Sequence, residues 1–235
     1  MYASVRRPGD APAGTRELVF DVTDDESVHR ALEDVGTLDA VVANAGIGIA
    51  GPLEFLPPTE LARQLDVNVV GQLRVVQPLV ERLRASRGRI VLIGSIGGRS
   101  ALPFLGAYAM SKFALEAFAD ALRVELAPWS IHVSLVEPGT IKTAIWTKPQ
   151  RSLEDSARAA ELYGERVARF RSLAAARAVK GVPPAEVASA VEHALTAPKP
   201  RTRYVVGPDA KRRARLEKLP DRLRDRVLTR FLFGS

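Results

Sequence analysis

The sequence predicts an α/β chain with a doubly wound parallel sheet and helices on both faces, and three observations predict it. Short strand-like runs alternate with longer runs of helical period from end to end. The run Leu38-Asp39-Ala40-Val41-Val42-Ala43 is almost continuously apolar, as a parallel strand covered on both faces should be. Ser95 ends another such run, Gly88 to Gly94, at the strand end where open α/β sheets place their ligands.

With 235 residues and 46% apolar composition, the chain can bury one substantial core. Residues 1–210 read as a single domain, in which 144–182 form a lid-like insertion, and 211–235 read as a basic amphipathic helical tail. No twenty-residue apolar run could span a bilayer, and Met1 to Arg7 does not read as a signal peptide, so a cytoplasmic protein is expected. There are no cysteines, which removes disulfides and thiolate metal sites. His29, His132 and His193 are scattered without ligand spacing, so no metal centre is expected. The net charge of +7 is local: residues 199–235 hold twelve Lys or Arg against four acids, which leaves the body slightly acidic. With no aromatic stacking pattern, nucleic acid is not the expected partner.

Met1 to Val5 reads as a strand, left through the turn Arg6-Arg7-Pro8-Gly9. Glu17 to Val22 reads as the next, and Asp24 as N-cap of a helix through Val28, Ala31, Leu32 and Val35, stopped by Gly36. The strand Leu38 to Ala43 runs into Asn44-Ala45-Gly46. There Asn44 can bond backbone on two sides, and Gly46 leaves room for close approach. Ile47, Leu53 and Phe55 are candidate pocket-lining residues. A helix capped by Thr59 carries Leu61, Leu65, Val69, Leu73, Val76, Val80 and Leu83, with Asn68 among them. Such a polar residue, once buried, needs partners.

After Ser95 comes a connection that is glycine-rich at Gly97-Gly98 and apolar at Leu102 to Leu105, suited to face a substrate. Phe104 reads equally as a substrate contact and as a core plug. Gly106 opens an Ala-rich helix to about Ala127, on which Tyr108 and Lys112 lie one turn apart on one face. A cation beside the phenol would lower its ordinary value near 10 and make Tyr108 a candidate general acid or base. Taken alone, the pair is equally a common feature of an exposed helix.

Ile131 to Val136 is a further strand, ended by Glu137-Pro138-Gly139-Thr140-Ile141-Lys142-Thr143. Beyond it lie helical runs through Leu162, Val167, Phe170 and Leu173, then a helix with Val187, Val191 and Leu195, and a last strand Arg203 to Gly207. The tail carries Leu216, Leu219, Leu223, Val227 and Phe231 at helical spacing, broken by Pro220. It reads as packing on its own domain or a twin subunit, with a membrane surface as the lesser alternative.

In order and spacing, Asn44-Ala45-Gly46, Asn68, Ser95, Tyr108 with Lys112, and Pro138-Gly139 with Thr143 resemble the short-chain dehydrogenase/reductase family. Its retinol- and steroid-dehydrogenase-like members are the nearest in kind. The resemblance implies a Rossmann-like fold and NAD(P)-dependent hydride transfer between nicotinamide and a small apolar alcohol, ketone or aldehyde. It implies catalytic roles for Asn68, Ser95, Tyr108 and Lys112, with Asn68 holding a water in a proton relay. It implies cofactor contacts at Arg6, Arg7, Asp21, Val22, Asn44, Ala45, Gly46, Tyr108, Lys112, Pro138, Gly139, Ile141 and Thr143. Asp21 reads equally as a helix cap. Val5 stands where NAD-preferring relatives place an acid, and Arg6-Arg7 follow, so NADP(H) is favoured and NAD(H) is second. Phe104, Ile145 and Trp146 are the expected substrate contacts, and a homodimer or homotetramer is expected.

One motif of the family, the Gly-x-x-x-Gly-x-Gly loop between its first strand and first helix, has no counterpart here. The missing first β-α unit belongs mid-sheet, between the strands at Met1 and Leu38. Three readings stand: a shortened representation of an ordinary reductase, a non-catalytic binding or assembly protein of this fold, or an enzyme whose strand comes from a partner or from rearrangement. An empty slot beside Met1 to Val5 agrees with loss, and an element filling it would support rearrangement.

Overall fold

The computed structural model describes residues 1–143 and 157–234. Among these residues six parallel strands form two sheets. β1 (Tyr2–Val5) pairs with β2 (Arg16–Val19) from Tyr2 beside Arg16 to Val5 beside Val19. β3 (Ala40–Ala43), β4 (Arg89–Ile93), β5 (His132–Pro138) and β6 (Arg203–Val206) lie in that spatial order. Their registers place Ala40 beside Arg89, Ile90 beside Val133 and Val136 beside Tyr204. Among the described residues no strand joins β1 to β3, so the sheet is interrupted where the sequence places the missing unit.

β2 ends earlier than expected, because Asp21 Oδ1 accepts from the Thr23 amide at 2.9 Å and its hydroxyl at 2.8 Å and turns the chain. Asp24 is the cap, accepting from Ser27 N at 3.0 Å to start α1 (Asp25–Glu33). Residues 58–86 are helical almost throughout. They comprise α2 (Pro58–Leu65), a π-helical stretch (Asp66–Val70), α3 (Gly71–Val76), a 3₁₀ turn (Gln77–Leu79) and α4 (Val80–Ser86). α5 (Gly106–Leu126) is followed by α6 (Ala157–Val179), α7 (Pro184–Thr196), α8 (Pro208–Leu216) and α9 (Asp221–Phe233). Pro220 separates the last two as expected, and α8 runs across the boundary expected at residue 210.

β4 shows why the sheet is covered on both sides. Ile90 and Leu92 point into a core with Val76, Leu83, Ala119 and Leu135, whereas Val91 points the other way, to Val136, Ala194, Tyr204 and Val206. Burying side chains of this kind contributes about 1.5–3 kcal/mol each. A third cluster, Phe20, Val28, Leu32, Val35 and Leu79 with Val41 against it, fastens the β1–β2 ladder to the rest by side chains. A fourth cluster, Phe104, Phe170 and Leu232, closes α6 and α9 over the loop before α5. No helix among the described residues is long and apolar enough to cross a membrane.

Candidate active site

The carboxyl ends of β3, β4 and β5 converge, and the functional candidates follow them. Ser95 leaves β4 as the N-cap of a 3₁₀ turn (Ile96–Gly98), accepting from Gly97 N at 3.0 Å. Gly98 lies so close to α5 that a Cβ there would meet the Lys112 carbonyl carbon and oxygen at 3.0 and 2.7 Å. This contact seats Ser95 against the helix. Ser95 Oγ donates to the Pro138 carbonyl at 3.5 Å, and it lies beside the Tyr108 ring: a Cβ on Gly97 would be 3.3 Å from both Ser95 Oγ and Tyr108 Cε1. Burial raises the Tyr108 phenol above its ordinary value, while the Ser95 hydroxyl and the Arg213 guanidinium pull it the other way.

The cation acting on Tyr108 therefore differs from the sequence expectation. Lys112 Nζ donates to the Ile93 carbonyl at 2.9 Å and lies 5.7 Å from the centre of the Tyr108 ring. Its own burial pushes it down to about 8. For Tyr108 desolvation outweighs the opposing Ser95 hydroxyl and Arg213 guanidinium, so its phenol is held above its ordinary value.

Asn68 is fully buried in the π-helical stretch, whose irregular backbone is of a kind frequent at functional sites. Its Oδ1 accepts from Ile47 N at 2.8 Å, and Nδ2 donates to Ile47 O at 2.9 Å and to Ser111 Oγ at 3.0 Å. Both amide protons thus go to protein oxygens, and the side chain pins the β3 loop to α5. Gln64 does the same work unannounced by the sequence. Its Nε2 donates to Ile47 O and its Oε1 accepts from Ile49 N, each at 2.7 Å. Asn44, Ala45 and Gly46 are exposed. The expectation that Asn44 bridges backbone on two sides is not met, because β3 has no neighbour on its far edge to offer those groups.

The Pro138-to-Thr143 loop is held from an unexpected quarter. Asp209, at the start of α8, accepts from Thr140 N and Thr140 Oγ1 at 2.8 Å each through Oδ2. Gly139 packs so tightly on this carboxylate that a Cβ would collide with it. Ile141 bridges to Val182, which closes the insertion at its base. Behind the loop Glu137 is fully buried, with Arg99 donating to its Oε1 at 3.0 and 2.7 Å. Burial first, and the Glu116 carboxyl second, push Glu137 up to about 7. Glu137 Oε2 and Glu116 Oε1 are buried without a donor, as two acids sharing a proton would leave them.

Phe104, at φ +66°, packs edge-on to Tyr163, Phe170 and Phe233, with centroids 5.6–6.2 Å apart. Tyr163 donates to Glu54 Oε2 at 2.7 Å and meets Phe55, so α6 roofs the loop after β3. Arg6 and Arg7 are exposed after β1, and Asp21 and Val22 follow β2. Ile145 and Trp146 lie outside the described residues.

A hydroxyl pair beside a buried lysine at the carboxyl end of a parallel sheet is the arrangement the motifs imply, and the profile of the short chain dehydrogenase family matches residues 10–154. The chain belongs to this family. It is an oxidoreductase of the short-chain dehydrogenase/reductase class. It is 35% identical, over 97% of its length and 86% of the relative's, to NADPH-dependent 3-dehydrocapnine reductase of Ornithobacterium rhinotracheale. It is 39% identical to human 17-beta-hydroxysteroid dehydrogenase type 1, covering 87% of this chain and 64% of that one. Among solved structures, a short-chain dehydrogenase from Streptomyces avermitilis superposes with a TM-score of 0.74 at 27% identity, covering 97% of this chain and 86% of the other. The family fold and the interrupted sheet therefore coexist in this chain.

Proposed function

We propose that this chain reduces an apolar ketone or aldehyde, and oxidises the matching alcohol, with NADP(H) as the favoured nicotinamide cofactor. The observation that carries the reading is that Ser95 and Tyr108 flank Gly97 at the end of β4, with the buried Lys112 ammonium 5.7 Å from the Tyr108 ring. The residues present suit the nicotinamide half of such a cofactor: the exposed Asn44-Ala45-Gly46 backbone, the Lys112 ammonium, and the loop Pro138, Gly139, Ile141 and Thr143. Arg6 and Arg7, exposed and with Asp21 near Arg6, would take a 2′-phosphate. The nicotinamide, when bound, supplies hydride to the carbonyl carbon. Tyr108 gives its proton to the developing alkoxide, and its raised pKa keeps that proton in place at neutral pH. Ser95 would hold the same oxygen, Lys112 would hold the nicotinamide ribose, and Asn68 fixes the loop after β3 beside them.

Phe104, Phe55 and Tyr163 would line the apolar side, with Ile145 and Trp146 completing it. A second reading, a family member that does not itself hold dinucleotide, is favoured by the unpaired edges of β1 and β3. Titration with NADPH and NADH, followed by tryptophan fluorescence and thermal stability, separates the two. Saturable, tighter binding of NADPH that weakens in Arg6→Ala/Arg7→Ala supports the enzyme. No binding of either refutes it. Tyr108→Phe should lower carbonyl turnover about 10²–10⁴-fold with an unchanged circular dichroism spectrum, and wild-type turnover in that variant would remove the assignment.

A further inference from the structure

Arg213 projects from α8 onto the loop that follows Ser95, and none of the motifs accounts for it. Its Nη2 donates to the Ser100 carbonyl, while its Nε is buried and has no hydrogen-bond partner. Nε and Nη2 form the side-on edge of the guanidinium, the edge that grips an oxyanion with two parallel bonds. Arg213 is half-buried, and a buried N–H left without an acceptor is unfavourable unless something completes it. The neighbouring acids are engaged: Asp209 holds Thr140, and Glu217 accepts from Arg224 at 3.1 Å. The other close charge, Arg177, has the same sign. Ser100 follows directly on the 3₁₀ turn that Ser95 caps and donates its amide to the Ile96 carbonyl, so the unfilled edge lies beside the candidate active site.

We infer that Arg213 anchors an oxyanion group, a carboxylate or sulfonate, carried by the substrate near its reacting carbonyl. The substrate class narrows accordingly to an amphiphile, its anionic end at Arg213 and its apolar body against Phe104 and Tyr163. The assignment rests on the proposed function for the word substrate, but the site itself can be tested without turnover or cofactor.

The test is calorimetric titration of the full chain with decanoate and with decan-1-ol below their aggregation limits. Wild type should bind decanoate at least about tenfold more tightly, the scale of a hydrogen bond to a charged group. In Arg213→Gln the acid-to-alcohol ratio should fall to about one, with the decanol affinity kept. Arg213→Lys, which keeps the charge and loses the fork, should lie between. A structural role would lower both affinities together and leave their ratio unchanged, which would overturn the inference. Equal binding of the two probes by wild type would overturn it without any variant. Failure of the dehydrogenase reading would instead appear as a preserved decanoate preference in a protein that binds neither nicotinamide cofactor.

Discussion

Replacing Asp209 by alanine tests how the loop after β5 is held. The substitution removes the acceptor of two 2.8 Å hydrogen bonds from Thr140. Leaving the partly buried Thr140 amide without a partner costs about 1–2 kcal/mol, toward the lower end for such groups because some solvent reaches it. Asp209 also lies in the first turn of α8, where a negative charge contributes about 0.3–1 kcal/mol against the helix dipole. Together these give roughly 2 kcal/mol, or a fall in melting temperature of about 4–8 °C for a chain of this size. The carboxamide of Asp209→Asn keeps one acceptor and should fall about half as far. Differential scanning calorimetry measures the first effect, and titration with NADPH should show a dissociation constant raised about threefold or more as the loop loosens. If Asp209→Ala melted within about 1 °C of wild type and bound cofactor equally well, the loop would be holding itself and the clamp would be incidental.

Glu137 predicts a pH effect. Its folded value, about 7, stands above the ordinary 4.5, so the protonated form is favoured by folding. The stability contribution is complete below about 4.5 and is lost as pH rises through about 7. Urea midpoints at pH 5 and 8 should therefore differ more in wild type than in Glu137→Gln, and an identical pH difference in the two would refute the shared-proton reading. Asn68→Ala leaves the Ile47 amide without its partner, while Gln64 still holds the Ile47 carbonyl, and should cost about 1–3 kcal/mol. A urea midpoint close to that of wild type would show that Gln64 alone suffices to hold the loop.

The parts of this site that are local are legible in the sequence. The Asp24 cap, the periodic helix that puts Tyr108 and Lys112 on one face, and the Ser95 position at the end of an apolar strand follow from spacing within a few residues. What escapes is made by distant partners. Asp209 and Thr140 are 69 positions apart, and Gln64 reaches back 17 to Ile47; no periodicity signals either contact. Arg213 sits among the many cations of a tail that reads as an amphipathic helix packed on its own domain or a twin subunit, and only the packing of α8 on the Ser95 loop shows which of them turns inward. The direction of the Tyr108 shift was hidden for a related reason. Spacing reveals a nearby lysine but not how much water the fold removes from the phenol.

The interrupted ladder also sets an order of opening. β4 and β5 are bonded on both edges, whereas β1, β2 and β3 each have a ladder on one side only. A sheet resists bending through its hydrogen bonds, so the seam beside β3 is a crease crossed by side chains alone. The β1–β2 pair with α1 can lift away by giving up the packing of Phe20, Val28 and Leu32 and the Arg74 and Arg82 bonds to Val22, Asp25 and Leu32, with every ladder of the larger plate intact. Amide exchange should then divide the molecule into a slow slab containing Ser95, Tyr108 and Lys112 and a faster flap carrying Arg6 and Arg7. The groups proposed for proton transfer thus sit on the durable part, and those proposed to read the far end of the cofactor sit on the part that yields first.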